Sequence, residues 1–245
     1  LLIAGWCRLR RIPLMRRDGT LWYGIVPGVL FAAEFILIYQ GLLYTTATRA
    51  VLFIYLAPFF VVLGARIVLP ADAFGAAQWL GLALSFAGML VAFGVPTPAL
   101  DPRQLTGDVM MIAAALFWAV TTLLIKASPL TRVSAEKVML YQLVVSAPLM
   151  ALAALLAGER IDHMPSALAF GALAYQTVWV VSVTFVIWFA LIARFSANRL
   201  SAFTFLTPLF GVAAGHLVLN EPLTGAFAGA VALVAAGLVL VNRAR

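Results

Sequence analysis

The sequence predicts an all-α, polytopic membrane protein: a helix bundle of two inverted five-helix repeats, ten membrane-spanning helices when complete, of which about eight and a fragment lie in this chain. Three observations predict it. Of the 245 residues, 64% are hydrophobic and only 10% are charged, and the mean hydropathy is +1.07. A soluble domain carries roughly 25% charged residues, so no aqueous fold could hide this much apolar surface, and lipid must be the solvent for most of it. The apolar residues also fall into eight runs, each long enough to cross a hydrocarbon core of about 30 Å. Finally, one stretch occurs twice. At a fixed offset of 150, Ala47, Arg49, Phe53, Leu56, Pro58, Phe60, Val62, Val68 and Leu69 meet the identical Ala197, Arg199, Phe203, Leu206, Pro208, Phe210, Val212, Val218 and Leu219. Apolar matches come easily by chance in such a chain; an arginine and a proline at a shared spacing do not. Each copy continues through an acid (Asp72, Glu221) and a polar turn into a further apolar run, now at an offset of 149. A repeat this long governs the reading of the fold, and in a hydrophobic chain it points to a transporter built of two halves around a site between them.

Taken in order, residues 1–7 read as the last turns of a spanning helix whose beginning lies outside the sequence. Arg8, Arg10, Arg11, Arg16 and Arg17 follow at once, the mark of a cytoplasmic loop. Helices are expected over 22–44, 50–69 and 76–95, with Pro70, Asp72 and Gly75 turning the chain between the last two. The proline-rich loop of Pro96, Pro98 and Pro102 divides a first repeat, 1–96, from a second, 107–245. Further helices are expected over 107–125, 138–157, 168–192, 200–219 and 223–241, the last two separated by Asn220, Glu221 and Pro222.

Orientation follows by counting. With the arginine-rich first loop inside and alternation thereafter, only Arg49, Arg103 and Arg160 of the sixteen basic residues fall outside, as the positive-inside rule requires. The C-terminus is then cytoplasmic. The count also puts Arg49 outside and Arg199 inside, so the two copies face opposite ways. Gly107 opens the second repeat, and its counterpart lies 43 positions before Leu1, so about one and a half more helices are expected in front.

Two motifs carry a resemblance. One is the helix-and-turn segment ending in Leu219, Glu221, Leu223 and Thr224, then Gly237. The other opens the second repeat with Gly107, Asp108, Ala114, Ala115, Trp118 and Ala119. Together they resemble the EamA-like family of the drug/metabolite transporter superfamily over nearly the whole chain. The departures are Asp72 where the first copy usually has Glu, Ala230 where glycine is common, and the absent front helices. The resemblance implies ten helices, both ends cytoplasmic, and movement of small metabolites such as amino acids without ATP. The expected setting is a bacterial cytoplasmic (inner) membrane, and the expected activity is secondary transport, efflux above all, by alternating access.

Among candidate substrate-binding residues Glu34 stands out, twelve residues into its apolar run. A charge there costs about 2.5–3.5 kcal/mol on insertion scales and should face a bundle interior or cavity. It either binds a substrate amine or a proton, or is a protonated carboxyl bonded to a neighbouring helix. Tyr55, Trp118, Thr122, Gln176, Trp179 and Trp188 complete the set. Trp118, Thr121 and Thr122 share one helix face by α-helical spacing. Gln176 and Trp179 share another, and Thr177, Thr184 and Trp188 a third. An aromatic cavity with a few hydroxyls and amides suits an organic solute, although tryptophan also anchors helices at the bilayer interface. Pro58 and Pro208, expected in mid-helix, are candidate hinges or fixed kinks. Arg49 and Arg199 are expected to snorkel to lipid headgroups.

A membrane-embedded enzyme and a non-transporting membrane subunit are the alternatives. The sequence contains no H-E-x-x-H, G-x-S-x-G or Walker loop, so catalysis is not expected. Two separated histidines and the single Cys7 suggest no metal site or disulfide framework, and no cofactor is expected. Expected partners are a small-molecule substrate, membrane lipids and a second copy of the chain in a homodimer. Nucleic acid is not among them, because the net charge of +7 resides in orienting loops.

Overall fold

The computed structural model describes residues 1–14, 18–98, 101–160, 164–219 and 225–243. Arg16, Arg17, Asp162, His163, Arg245 and the expected turn of Asn220, Glu221 and Pro222, with Leu223 and Thr224 of the second motif, lie outside the described residues. The helices are α1 (Leu2–Leu9), α2 (Leu21–Gly41), α3 (Ala47–Ile54), α4 (Ala57–Val68), α5 (Ala76–Phe93), α6 (Pro102–Lys126), α7 (Ala135–Leu156), α8 (Ala167–Tyr175), α9 (Phe185–Arg194), α10 (Ala197–Phe203), α11 (Leu206–Leu219) and α12 (Gly225–Arg243). A π-helix, Gln176–Thr184, joins α8 to α9. Counting α3 with α4, α8 with α9 and α10 with α11, eight helical spans among the described residues are long and apolar enough to cross a membrane.

The starts are set by side chains the apolar pattern does not reveal. Thr46, Ser134, Ser166 and Ser196 each accept a bond from the backbone N–H three residues on, capping α3, α7, α8 and α10. Thr46 and Ser196 are the same position in the two copies, and the N–H groups they receive belong to Arg49 and Arg199.

The two copies also break alike. The apolar run predicts one continuous helix over 50–69 and another over 200–219. Instead α3 stops at Ile54 and α4 starts at Ala57, while α10 stops at Phe203 and α11 starts at Leu206. Pro58 and Pro208 therefore sit in the first turn of the second piece, not in mid-helix. A proline lacks the N–H that an interior residue would donate, but in a first turn that donor has no intrahelical partner anyway. Each proline is accommodated by a turn placed just before it.

The chain forms two compact units, Leu1–Ile36 with Leu124–Phe195, and Leu37–Leu123 with Ser196–Arg245. Each unit draws on both sequence copies. In the second, α5 and α12 run antiparallel and pack along their lengths. Lipid tails are as apolar as leucine, so close packing rather than water exclusion must hold such helices together. A Cβ on Gly237 would lie 2.3 Å from Ser85 Oγ and 2.4 Å from the Gly81 carbonyl oxygen, and one on Gly88 would lie 2.8 Å from that of Ala230. At the offset of 149, Gly81 corresponds to Ala230 and Gly88 to Gly237. The two contacts thus exchange with each other when the copies are exchanged. Beside this seam Phe205, fully buried, meets Tyr55, Phe59 and Phe86 at ring-centroid distances of 5.9, 6.5 and 6.3 Å.

In the first unit α2 and α7 run parallel. Gly24 and Gly28 admit Tyr141 and Val145, which a Cβ at either glycine would meet within 2.6 Å. Phe31 of α2 meets Phe185 of α9 edge to face at 5.6 Å.

Candidate functional site

The most elaborate polar constellation belongs to the second unit and surrounds Arg49. Gly107 lacks a side chain where α6 crosses the turn after α2; a Cβ there would lie 2.8 Å from the Thr45 nitrogen and 2.9 Å from the Gly41 oxygen. That approach delivers the next residue, Asp108. Its Oδ1 accepts from Thr45 Oγ1 at 2.6 Å and from Arg49 Nε at 3.1 Å, and its Oδ2 accepts from Arg49 Nη2. Arg49 Nη1 donates to the Thr97 carbonyl. Arg49 is 8% exposed and Asp108 3%. Two parallel bonds between a guanidinium and a carboxylate form the strongest pairing available to an arginine. The expectation that Arg49 reaches for headgroups is overturned: a carboxylate within its reach fixes it inside the protein. Arg199 is partly exposed. Thr97, Thr46, Thr48 and Gln104 join Arg49 in lining a cavity of about 250 Å³.

Asp108 was legible in the sequence only as a motif letter. The apolar run places it second in a helix expected from 107; the structure starts that helix at Pro102 and so carries Asp108 seven residues into a helix of spanning length, where a carboxylate needs a partner. A second pair was missed because its members lie 119 positions apart. In the first unit Lys137, buried at the start of α7, bonds Asp18 Oδ2 at 2.6 Å, and Thr20 donates to Asp18 Oδ1 at 2.6 Å. Tyr141 lies 2.9 Å from Thr20 Oγ1. The hydrogen bonds from Lys137 and then Thr20 hold the Asp18 carboxyl well below the usual carboxylate range.

The candidates read from the sequence divide between the units. In the first, Glu34 is 4% exposed, and its Oε2 has no hydrogen-bond partner among the described residues. Gln176 is exposed, Trp179 is 56% exposed and Trp188 is partly buried. The faces assigned to them by α-helical spacing do not hold. Across Gln176–Thr184 the wider π turn replaces the 3.6-residue period, and the Ser182 and Thr184 hydroxyls donate to the carbonyls of Thr177 and Trp179, five residues back. In the second unit Tyr55 occupies the break between α3 and α4, and Thr122 is buried. Trp118 packs on Val61, Ala65, Ala119, Leu123 and Ala197. Pro58 and Pro208 are buried. Among the described residues no three His, Cys, Asp or Glu side chains gather as a metal site would require.

Eight apolar spans, exposed leucines and isoleucines along them, and a few buried polar groups define an integral membrane protein of the polytopic helical class. The sequence matches the EamA-like transporter family over residues 1–94 and 105–243. The chain belongs to that family, within the drug/metabolite transporter superfamily. It is 25% identical over 167 residues to an uncharacterized transporter of Bacillus subtilis, covering 66% of this chain and 52% of that one. It is 26% identical over 229 residues to an uncharacterized transporter of Archaeoglobus fulgidus, covering 90% and 75%. With an uncharacterized transporter of Synechocystis it shares 29% identity over 141 residues, covering 56% and 42%. The matched stretch thus spans about half the length of the first of these relatives. A crystal structure superposes with a TM-score of 0.83 over 98% of this chain and 82% of the other, at 21% identity, a likeness of fold.

Proposed function

We propose that the protein is a secondary transporter that moves small organic metabolites, amino acids or related compounds, out of the cell by alternating access. Its two repeats, residues 1–96 and 107–245, are inverted relative to each other, and its C-terminus is cytoplasmic. The observation that carries the functional reading is Glu34. A carboxyl group deep in an apolar span, buried and with one oxygen unpartnered among the described residues, is costly to a merely structural helix. It suits a group that receives a proton or a substrate amine during the transport cycle. Family membership supports the same reading. The exchangeable contacts of α5 and α12 favour inverted copies, since swapping two copies while keeping both contacts requires a two-fold axis.

Flux in proteoliposomes tests the function. Glu34→Gln should keep the fold while changing substrate flux or its dependence on pH. Unaltered flux between about pH 5 and 8 would reduce Glu34 to a structural part. Topology is tested by labelling single cysteines at Tyr44 and Arg194, both exposed and 150 positions apart, with Cys7 replaced by alanine. Labelling from opposite sides supports inversion; labelling from one side removes it.

A further inference from the structure

We infer that the cavity beside Arg49 is a docking site for a small organic carboxylate. Among the described residues that line it, Arg49 contributes the only charge; the other lining residues are neutral, and four of them, Thr46, Thr48, Thr97 and Gln104, carry hydroxyl or amide donors. The bonds to Asp108 and the Thr97 carbonyl engage Nε and one N–H on each terminal nitrogen. A guanidinium carries five N–H donors, so among the described residues these bonds leave one on each terminal nitrogen unused. The first turn of α3 borders the same cavity. Its cap, Thr46, receives the N–H of Arg49, and the preceding N–H groups of that turn have no intrahelical acceptor. A cation backed by its own buried counter-ion is held in place before any ligand arrives. A second oxyanion that reaches its remaining N–H groups from the cavity adds charge-assisted bonds without the cost of ordering the side chain. The volume, about 250 Å³, lies below the range of about 300–1,000 Å³ that holds drug-sized ligands, and fits a solute of a few heavy atoms. Loop residues Gly94 to Thr97 form one wall, which places the site at helix ends, within reach of water-borne solutes.

The site deepens the transport reading, because under the proposed topology it opens outward, but binding itself does not require that topology. The experiment is calorimetric titration of the full-length protein in nanodiscs of zwitterionic lipid with propionate, alanine and their amides. Expected are saturable binding of the carboxylates and binding of the amides weaker by about tenfold or more. Thr48→Glu, which sets a competing carboxylate in the cavity and leaves Arg49 and Asp108 themselves unchanged, should weaken propionate binding by about tenfold or more, while Thr48→Gln should change it by less than about threefold. Equal binding of acids and amides, or equal binding to the Thr48→Glu and Thr48→Gln proteins, overturns the assignment. So does displacement of propionate by anionic lipid with the same dependence on residue 48, which would make the site a headgroup pocket. Flux without carboxylate binding sinks this site and leaves the transporter; carboxylate binding without flux does the reverse.

Discussion

Asp108→Ala should destabilise the protein more than any other single change in the second unit's polar cluster. The side chain accepts three hydrogen bonds, two from Arg49 and one from Thr45, and its removal leaves a guanidinium at 8% exposure with the Thr97 carbonyl and the Phe53 ring but no counter-ion among the described residues. Breaking one side of a buried ion pair costs about 3–5 kcal/mol, most of it the burden of the charge left behind. Thr45→Val removes a single bond to the same carboxylate and should cost about 1 kcal/mol. Removing Arg49 as well relieves the stranded charge, so Arg49→Met with Asp108→Ala should be less damaging than the sum of the two, with a coupling of about 2–3 kcal/mol. Denaturant unfolding in mixed micelles of the native protein, the three single variants and the double variant, followed by circular dichroism, measures each value. Burial also makes the coupling resistant to salt, so it should persist at about 0.5 M NaCl, where exposed pairs are screened. Strict additivity of the two substitutions, or a coupling that vanishes in salt, would refute the description of this pair as buried and mutually dependent.

Gly237→Ala forces a methyl group against Ser85 Oγ and the Gly81 carbonyl, and should lower stability by about 1–3 kcal/mol by pushing α5 and α12 apart. Gly229→Ala on the same helix meets nothing nearer than 3.9 Å and should leave the melting temperature unchanged; equal effects would refute the close seam. The Asp18–Lys137 pair stabilises the fold only while Asp18 is ionised. Because the folded-state carboxyl titrates below its ordinary 3.8, that stabilisation is complete above the ordinary value and is lost as pH falls through the lowered one. The melting-temperature gap between the native protein and Asp18→Asn should therefore be flat from about pH 5 to 8 and close only at more acid pH; a gap that varies within the neutral range would exclude this role.

The sequence by itself determined that the chain is helical, crosses a membrane about eight times and contains a duplicated stretch. Those properties live in composition and local order: a span must be long and apolar whatever packs beside it, and Arg49, Pro58 and their twins at 199 and 208 are visible as letters. It also singled out Glu34, because a carboxyl within an apolar run is conspicuous without knowledge of its neighbours. Tertiary structure decided the partners. Asp108 lies 59 positions from Arg49 and Lys137 lies 119 from Asp18, and no periodicity links such distances. It also decided the helix breaks before Pro58 and Pro208 and the π turn at Gln176–Thr184. A 3.6-residue period extrapolates through an apolar run without registering that the backbone has paused or widened, since hydropathy reports which residues avoid water and not how their carbonyls are bonded.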